Sequence, residues 1–415
     1  MRPSQLGQQR SGSDMAIPTS ELKKWGLVWW QTNFTHVVPS KGGAVGVMFV
    51  WCTNPLYQGV DIDDPRTADF VIKPSAGSAA PTMVAQDLMQ RTIGATSVNT
   101  LPIPRTDSRF NAILMGMSRY KDRVDQAVNS PRTPLVTQQM RDLRDRWASV
   151  WPHYQQARAL MIQELAVGMN EFADVYRDYS HMGLERALFN DQLMRNIGKL
   201  FAVDAVLGNG DRLCQLNTGN ILFNETTKQI FSVDSQAIMT SYQQALIQGE
   251  RNAKAWAEQI LVSNLGASAV PERDGVVAPP SFSMNDLYDL DRWWNVWFRG
   301  HIERTLHYDN QKKPRETLWR HAFHNFSIGV EEGLLAVDKQ LSGLNWLGVK
   351  SMFKSHEKRY GSSPNLDWTN FKIRRMVVRM VLAERNQPGT PQEKQQRALD
   401  RVVAYAERKI GTRHV

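Results

Sequence analysis

The sequence predicts an α+β protein in two parts: a β-containing stretch to about residue 165 and a mostly helical remainder. Three observations carry that expectation. Two β-rich runs, FTHVVPS and VGVMFVW, flank Lys41-Gly42-Gly43 within residues 34–51, which is a hairpin signal. From residue 183 onward apolar residues recur at helical spacing. One short β pair interrupts that helical part, at Ile221-Leu222-Phe223 and Ile230-Phe231-Ser232-Val233.

Composition bounds the class. The 415 residues suffice for two or three lobes with a sizeable core, and 42% hydrophobic with 22% charged residues is ordinary for a soluble globular protein. No run of about 18 apolar residues occurs, so no transmembrane segment is expected. Residues 1–19 are polar, lack the apolar core of a signal peptide, and read as a disordered tail. Their Ser- and Gln-containing character also suits the leader of a bacterial effector delivered into a host cell. Cys52 and Cys214 form no disulfide framework or CxxC metal pair, which points to a reducing, cytoplasmic compartment. His321 and His324 have ligand spacing, but beside Trp319 and Phe323 they read as helix residues rather than a metal pair.

The net charge of +9 is unevenly spread: from Phe371 to the end, eleven Lys or Arg stand against four Asp or Glu. An acidic partner, a membrane surface or a nucleic acid could answer such a segment. The favoured reading is an amphipathic helix, with Ile373, Val377, Met380 and Leu382 on one face and Arg374, Arg375, Arg379 and Arg385 in water. Nucleic acid is the least favoured partner, because Phe371 and Tyr405 are the only Phe, Tyr or Trp in the segment and do not interleave with its basic residues.

In chain order, residues 20–33 read as a short helix capped by Ser20. In the hairpin that follows, Gly42 and Gly43 allow a tight turn and close approach to a ligand, a plain β-turn being the alternative. Residues 52–67 should be loop and 68–75 a strand with Lys73 near its end. Residues 81–92 form a helix with Pro81 in its first turn; Asp87 is its only acid, with Thr82 and Gln86 as other polar side chains. The text from 96 to 117 (TSVNTLPIP and FNAILMGM) reads as strands, and 118–156 as an insertion with one helix. A buried strand then leads into a linker, Gln163 to Gly168, placing the boundary between segments 20–165 and 166–415. GLERALFNDQLMRNIGKLFAVDAVLG reads as one or two helices, and 266–283 as a linker loop. Trp293, Trp294, Trp297 and Trp319 have the spacing of core residues.

The chemistry-bearing stretch is 196–235. Asp211 and Asn220 are nine positions apart, Asn220 and Asp234 fourteen. Asn220 directly precedes one apolar triplet and Asp234 follows the other, so a hairpin of the two brings a carboxamide and a carboxylate to one end. Both are oxygen donors, which a hard cation such as magnesium prefers. Asn217 competes with Asn220 for that role; Asn220 is preferred because the strand begins immediately after it. Alone, each residue reads as a turn or cap. Together with the upstream Lys73, they have the order that phosphoryl transfer requires.

These residues, in IGKLFAVDAVLGNGDR, LCQLNTGNILF and QIFSVDS, resemble the catalytic core of the atypical protein kinase-like superfamily. The run looks most like the actin-fragmin kinase type and is similar to phosphatidylinositol 3- and 4-kinases, over roughly 34–240. The resemblance implies a bilobal protein kinase-like fold, with a β-rich N-lobe over 20–165 and a helical C-lobe over 166–415 that ends in a basic extension. It implies ATP and Mg2+ as cofactors and a Ser/Thr protein substrate. Lys73 would hold the nucleotide phosphates beneath a loop carrying Gly42 and Gly43. Backbone groups of Gln163, Glu164 and Leu165 would bond the adenine edge. Asp211 would orient the acceptor hydroxyl and take its proton, and Asn220 (or Asn217) with Asp234 would hold magnesium. Arg212 would position the loop or neutralise phosphate. The chain departs from the pattern at Ser235-Gln236 after Asp234, at Leu213 after Asp-Arg, and in lacking a glutamate on the 81–92 helix. Those departures keep a pseudokinase-like module docking an acidic partner, AMP transfer and lipid phosphorylation as alternatives.

Overall fold

A computed structural model describes residues 34–40, 46–52, 68–93, 96–97, 100–130, 134–164, 170–177, 181–207, 209, 212, 217–224, 228–233, 287–305, 314–343, 346–361, 368–384 and 387–411. The chain is α+β and divides into two compact units: residues 1–79 with 98–167 and 357–362, and residues 80–97 with 168–356 and 363–415. The helix expected at 20–33, Gly42, Gly43, Leu165 and the 266–283 loop lie outside the described residues.

The first unit is built on a five-stranded antiparallel sheet. Strands β1 (His36–Pro39), β2 (Met48–Trp51), β3 (Phe70–Ser75), β5 (Thr100–Pro104) and β6 (Ala159–Glu164) lie in the order β1-β2-β3-β6-β5. Alternate residues face opposite ways in a strand. Phe70, Ile72, Leu101, Ile103, Leu160 and Ile162 therefore join one core with Phe110, Tyr120, Trp147 and Tyr154 from two helices. These helices are Ser108–Val128 and Pro134–Gln156. Lys73, paired with Met161, falls on the other face together with Val71 and Gln163. The Tyr154 hydroxyl donates to the Ile72 carbonyl at 2.6 Å and so braces β3 one residue before Lys73.

Two expectations for this unit change. FNAILMGM is helical: Phe110, Ile113, Met117, Tyr120 and Val124 are buried at steps of three and four, a helical period that its dense apolar text obscures. Asp107 caps that helix by accepting from the Arg109 backbone N–H at 2.9 Å. Residues 118–156, expected as an insertion, supply Tyr120, Leu143, Trp147 and Tyr154 to the unit's main core.

The second unit is mostly helical. It begins with α1 (Ala80–Ile93) and β4 (Thr96–Ser97), so that counting the two helices of the first unit as α2 and α3 continues the series. Next come β7 (Asn170–Glu171), α4 (Asp174–Arg177), α5 (His181–Leu188), α6 (Asp191–Leu207), β8 (Ile221–Phe223) and β9 (Ile230–Ser232). The small sheet runs β4-β9-β8-β7, with β4 parallel to β9 and the other pairs antiparallel. Helix α7 (Leu290–Arg292), a π-helical stretch (Trp293–Arg299) and α8 (Gly300–Thr305) follow. The chain ends in α9 (Glu316–Gly343), α10 (Trp346–Tyr360), α11 (Trp368–Glu384) and α12 (Pro391–Gly411). Trp293, Trp294 and Trp319 are buried; Phe201, Phe298 and Phe326 lie 4.5–5.7 Å between centroids from Trp293 or Trp294, and Trp319 meets Trp294 at 6.2 Å. That is core packing, as their spacing indicates.

Three of the eleven basic residues of the C-terminal segment are seen paired with acids of the same unit. Arg379 pairs with Asp338 at 2.7 Å, while Arg397 and Arg401 share the buried carboxylate of Glu384. Arg397 draws the Glu384 carboxyl below its ordinary range. On α11 Val378 and Met380 are buried about 200° apart around the helix, and Arg375, expected in water, is half-buried, so burial extends beyond the single apolar face expected there. Helix α12 opens on a capping box: the Thr390 backbone N–H donates to Glu393 Oε2 at 2.7 Å, and the Glu393 N–H to Thr390 Oγ1 at 3.3 Å. Thr390→Ala is expected to cost about 1 kcal/mol, read as a lower denaturant midpoint with unchanged slope. Among the described residues no helix is long and apolar enough to cross a membrane.

Candidate functional site

The best-defined polar constellation lies where α6 ends and the β8–β9 hairpin begins. Helix α6 is apolar along its second half, with Ala202, Val203, Ala205, Val206 and Leu207 buried. Asp204 sits among them with no exposed surface. Its side chain meets that of Arg212, which is equally buried. Arg212 Nε donates to Asp204 Oδ2 at 2.9 Å, Nη2 donates to Asp204 Oδ1, and Nη1 donates to the Val233 carbonyl at 3.0 Å. A guanidinium suits this task because its donors are spread over a rigid plane. Burial pushes the Asp204 carboxyl above its ordinary range, and Arg212 opposes that push. The Asn209 backbone N–H returns to the Asp204 carbonyl at 2.9 Å, so the chain turns back as soon as α6 ends.

The second half of the site is a tight turn over Thr218–Asn220. The Asn220 N–H donates to the Asn217 carbonyl at 3.1 Å. Thr218 is buried, with its hydroxyl hydrogen-bonded to that of Tyr176 on α4. A Cβ at Gly219 would stand 3.2 Å from Glu171 Oε2 and 3.7 Å from Asn217 Oδ1, so two side-chain oxygens crowd this glycine. Glu171 reaches it from β7, where it pairs with Leu222. In the hairpin Ile221 pairs with Ser232, and the Val233 N–H donates to the Asn220 carbonyl at 3.1 Å. Asn220 and Val233 thus face each other at one end of the hairpin. Asn217 is exposed and Asn220 half-buried.

The structure brings Arg212, Asn217 and Asn220 together around this turn. Asp211 and Asp234, the chain neighbours of Arg212 and Val233, lie outside the described residues. Of the two roles expected for Arg212, the bonds to Asp204 and Val233 suit loop positioning, since its side chain has no exposed surface. Lys73 belongs to the first unit and is half-buried on β3. Gln163 also differs from expectation. It lies on β6, an interior strand, in register with Val71 on one side and Thr100 on the other, and its side-chain amide donates to Thr100 Oγ1 at 3.1 Å. Its backbone belongs to the sheet rather than to a linker. Glu164 closes β6. On α1, Asp87 is 2.7 Å from His356 Nε2, Thr82 is buried, and Gln86 Oε1 is buried with no hydrogen-bond partner among the described residues. His321 pairs with Asp191 at 2.7 Å, and among the described residues no three His, Cys, Asp or Glu side chains cluster as a metal site would.

Asp204 opens the D-x-x-x-x-N-x-D-R-like run that ends in Asp211-Arg212 and carries part of the resemblance, but sequence reasoning gave it no role, and it passed over Glu171. A charged residue inside the run LFAVDAVL is a signal, because a fully buried Asp needs a partner. Glu171 carries no local signal; pairing of β7 with β8 is what delivers it to Gly219. In comparisons with protein-family models, curated proteins and solved structures, the chain matches none.

Proposed function

We propose that this chain is an ATP- and magnesium-dependent phosphotransferase of the atypical protein kinase-like type, bilobal in arrangement, acting on a Ser or Thr hydroxyl of a protein. The observation that supports the reading best is the hairpin end where Asn220 faces Val233, the residue before Asp234. Glu171 Oε2 and Asn217 Oδ1 lie beside Gly219, next to Asn220, and carboxylate and carboxamide oxygens are ligands that fit Mg2+. In this reading Asn220 and Asp234 hold the metal, which neutralises charge on the nucleotide phosphates. Lys73 binds those phosphates. Asp211 accepts the proton of the acceptor hydroxyl as its oxygen bonds to the γ-phosphorus and the bond to the ADP oxygen breaks. Positioning and charge neutralisation carry the rate.

The test is ATP turnover and phosphate transfer by the full chain with Mg2+. Asp211→Ala, Asp234→Ala and Lys73→Ala are each expected to lower turnover by about 100-fold or more while far-UV circular dichroism is unchanged. Wild-type turnover in all three would overturn the assignment, and release of pyrophosphate instead of ADP would redirect it to AMP transfer. A second reading, a pseudokinase-like binding module, is favoured by one observation: α1 has no glutamate, and its one acid, Asp87, is engaged by His356. That reading expects Mg2+–ATP binding by calorimetry with no turnover.

A further inference from the structure

We propose that the buried Asp204–Arg212 pair is a positioning device for the metal-binding end of the β8–β9 hairpin, and that Asp204 is its anchoring residue. The inference rests on the phosphotransferase reading above and adds a residue to its site.

Physical chemistry argues against fold stability as the pair's purpose. Taking two ions out of water costs about as much as their attraction returns, so apolar residues of similar volume commonly serve as well or better. The face of α6 favours such a replacement: Leu200, Phe201 and Leu207, four before, three before and three after Asp204, are buried, and an aliphatic side chain there would continue their row. What an apolar pair cannot do is hold a backbone carbonyl. Arg212 spends two donors on Asp204 and a third on the Val233 carbonyl at 3.0 Å. Val233 in turn donates to the Asn220 carbonyl at 3.1 Å. Three successive links therefore run from the interior of α6 to Asn220, passing through the residue before Asp234. Asp204 fixes the plane of the guanidinium, and the guanidinium fixes where β9 ends relative to where β8 begins. Lysine could neutralise Asp204, but its single nitrogen lacks the fork that reaches both partners.

The experiment compares the full-length double variant Asp204→Leu with Arg212→Met, and separately Arg212→Lys, with wild type. Thermal unfolding is one readout. The other is Mn2+ affinity in the presence of ATP, followed by electron paramagnetic resonance, with Asp234→Ala as reference. The double variant is expected to melt at or above the wild-type midpoint, yet to bind Mn2+ with a Kd raised about tenfold or more. Arg212→Lys should show the same weakening with the ion pair retained. Wild-type Mn2+ affinity in both, with Asp234→Ala weakened, overturns the inference and leaves the phosphotransferase reading standing. A double variant that unfolds or melts well below wild type makes the pair a fold-stabilising contact, which also overturns it. Wild-type affinity in Asp234→Ala removes the metal site itself, and the inference with it.

Discussion

Gly329→Ala is expected to lower the melting midpoint by roughly 6–12 °C, the effect of about 3 kcal/mol in a domain of this size. Intrinsic propensity predicts the opposite, since alanine is favoured over glycine inside a helix by about 1 kcal/mol. Packing decides the sign. A Cβ at Gly329 on α9 would stand 2.0 Å from the Arg195 carbonyl oxygen and 2.6 Å from its carbonyl carbon on α6. The obstacle is backbone and cannot rotate away, so the helices must separate. Gly198 makes the reciprocal approach, its Cβ position lying 2.1 Å from the Phe326 carbonyl oxygen, and Gly333 repeats the contact at 2.8 Å from Ala202 Cβ. Gly300→Ala is the control: the nearest atom is the flexible end of Arg304 at 3.4 Å, and a change within about 0.5 kcal/mol is expected. Equal melting of the Gly329 and Gly300 variants would mean that α6 and α9 do not meet backbone to backbone. The consequence reaches the candidate site, because α6 carries Asp204.

That contact also shows what a single sequence withholds. Gly198, Gly329 and Gly333 read locally as weak points in helices; their purpose is visible only once α6 lies on α9. Short apolar runs bounded by turn residues served well: β3, the hairpin strands β1 and β2, and the β8–β9 pair fall where those runs place them. It failed for FNAILMGM, where apolar residues on flanking positions hide the period of the buried ones. For the candidate site, Asn220 was legible because an apolar strand starts immediately after it. The contact between Asp204 and Arg212 was not, although both belong to the run that carries the resemblance: a motif says which residues recur at a spacing, and only the turn after α6 shows that these two touch. Gln163 illustrates the reverse error: a strand end read in one dimension resembles a linker, while pairing with β3 and β5 on both sides commits it to the sheet.

Asp204→Ala is expected to cost about 3–5 kcal/mol. The cost comes chiefly from the residue left behind. Arg212 has no exposed surface and loses its two bonds to Asp204 and the opposite charge beside it. The methyl group of alanine also leaves a void too small to rehydrate the guanidinium without opening the end of α6. Asp204→Asn should lose less, because a carboxamide oxygen can still accept one of the two bonds while the counter-charge is gone. The order Ala below Asn below wild type in denaturant midpoint, at constant slope, is the result to seek. A loss under about 1 kcal/mol for Asp204→Ala would mean that water reaches Arg212 readily, and a wet guanidinium would hold Val233 too loosely to set the end of β9. The same cycle separates the two meanings of a buried ion pair. Each single variant is costly because a buried charge loses its opposite charge, whereas removing both leaves no buried charge to compensate. Strong non-additivity between Asp204→Leu and Arg212→Met is therefore the thermodynamic mark of a contact retained for geometry rather than for stability.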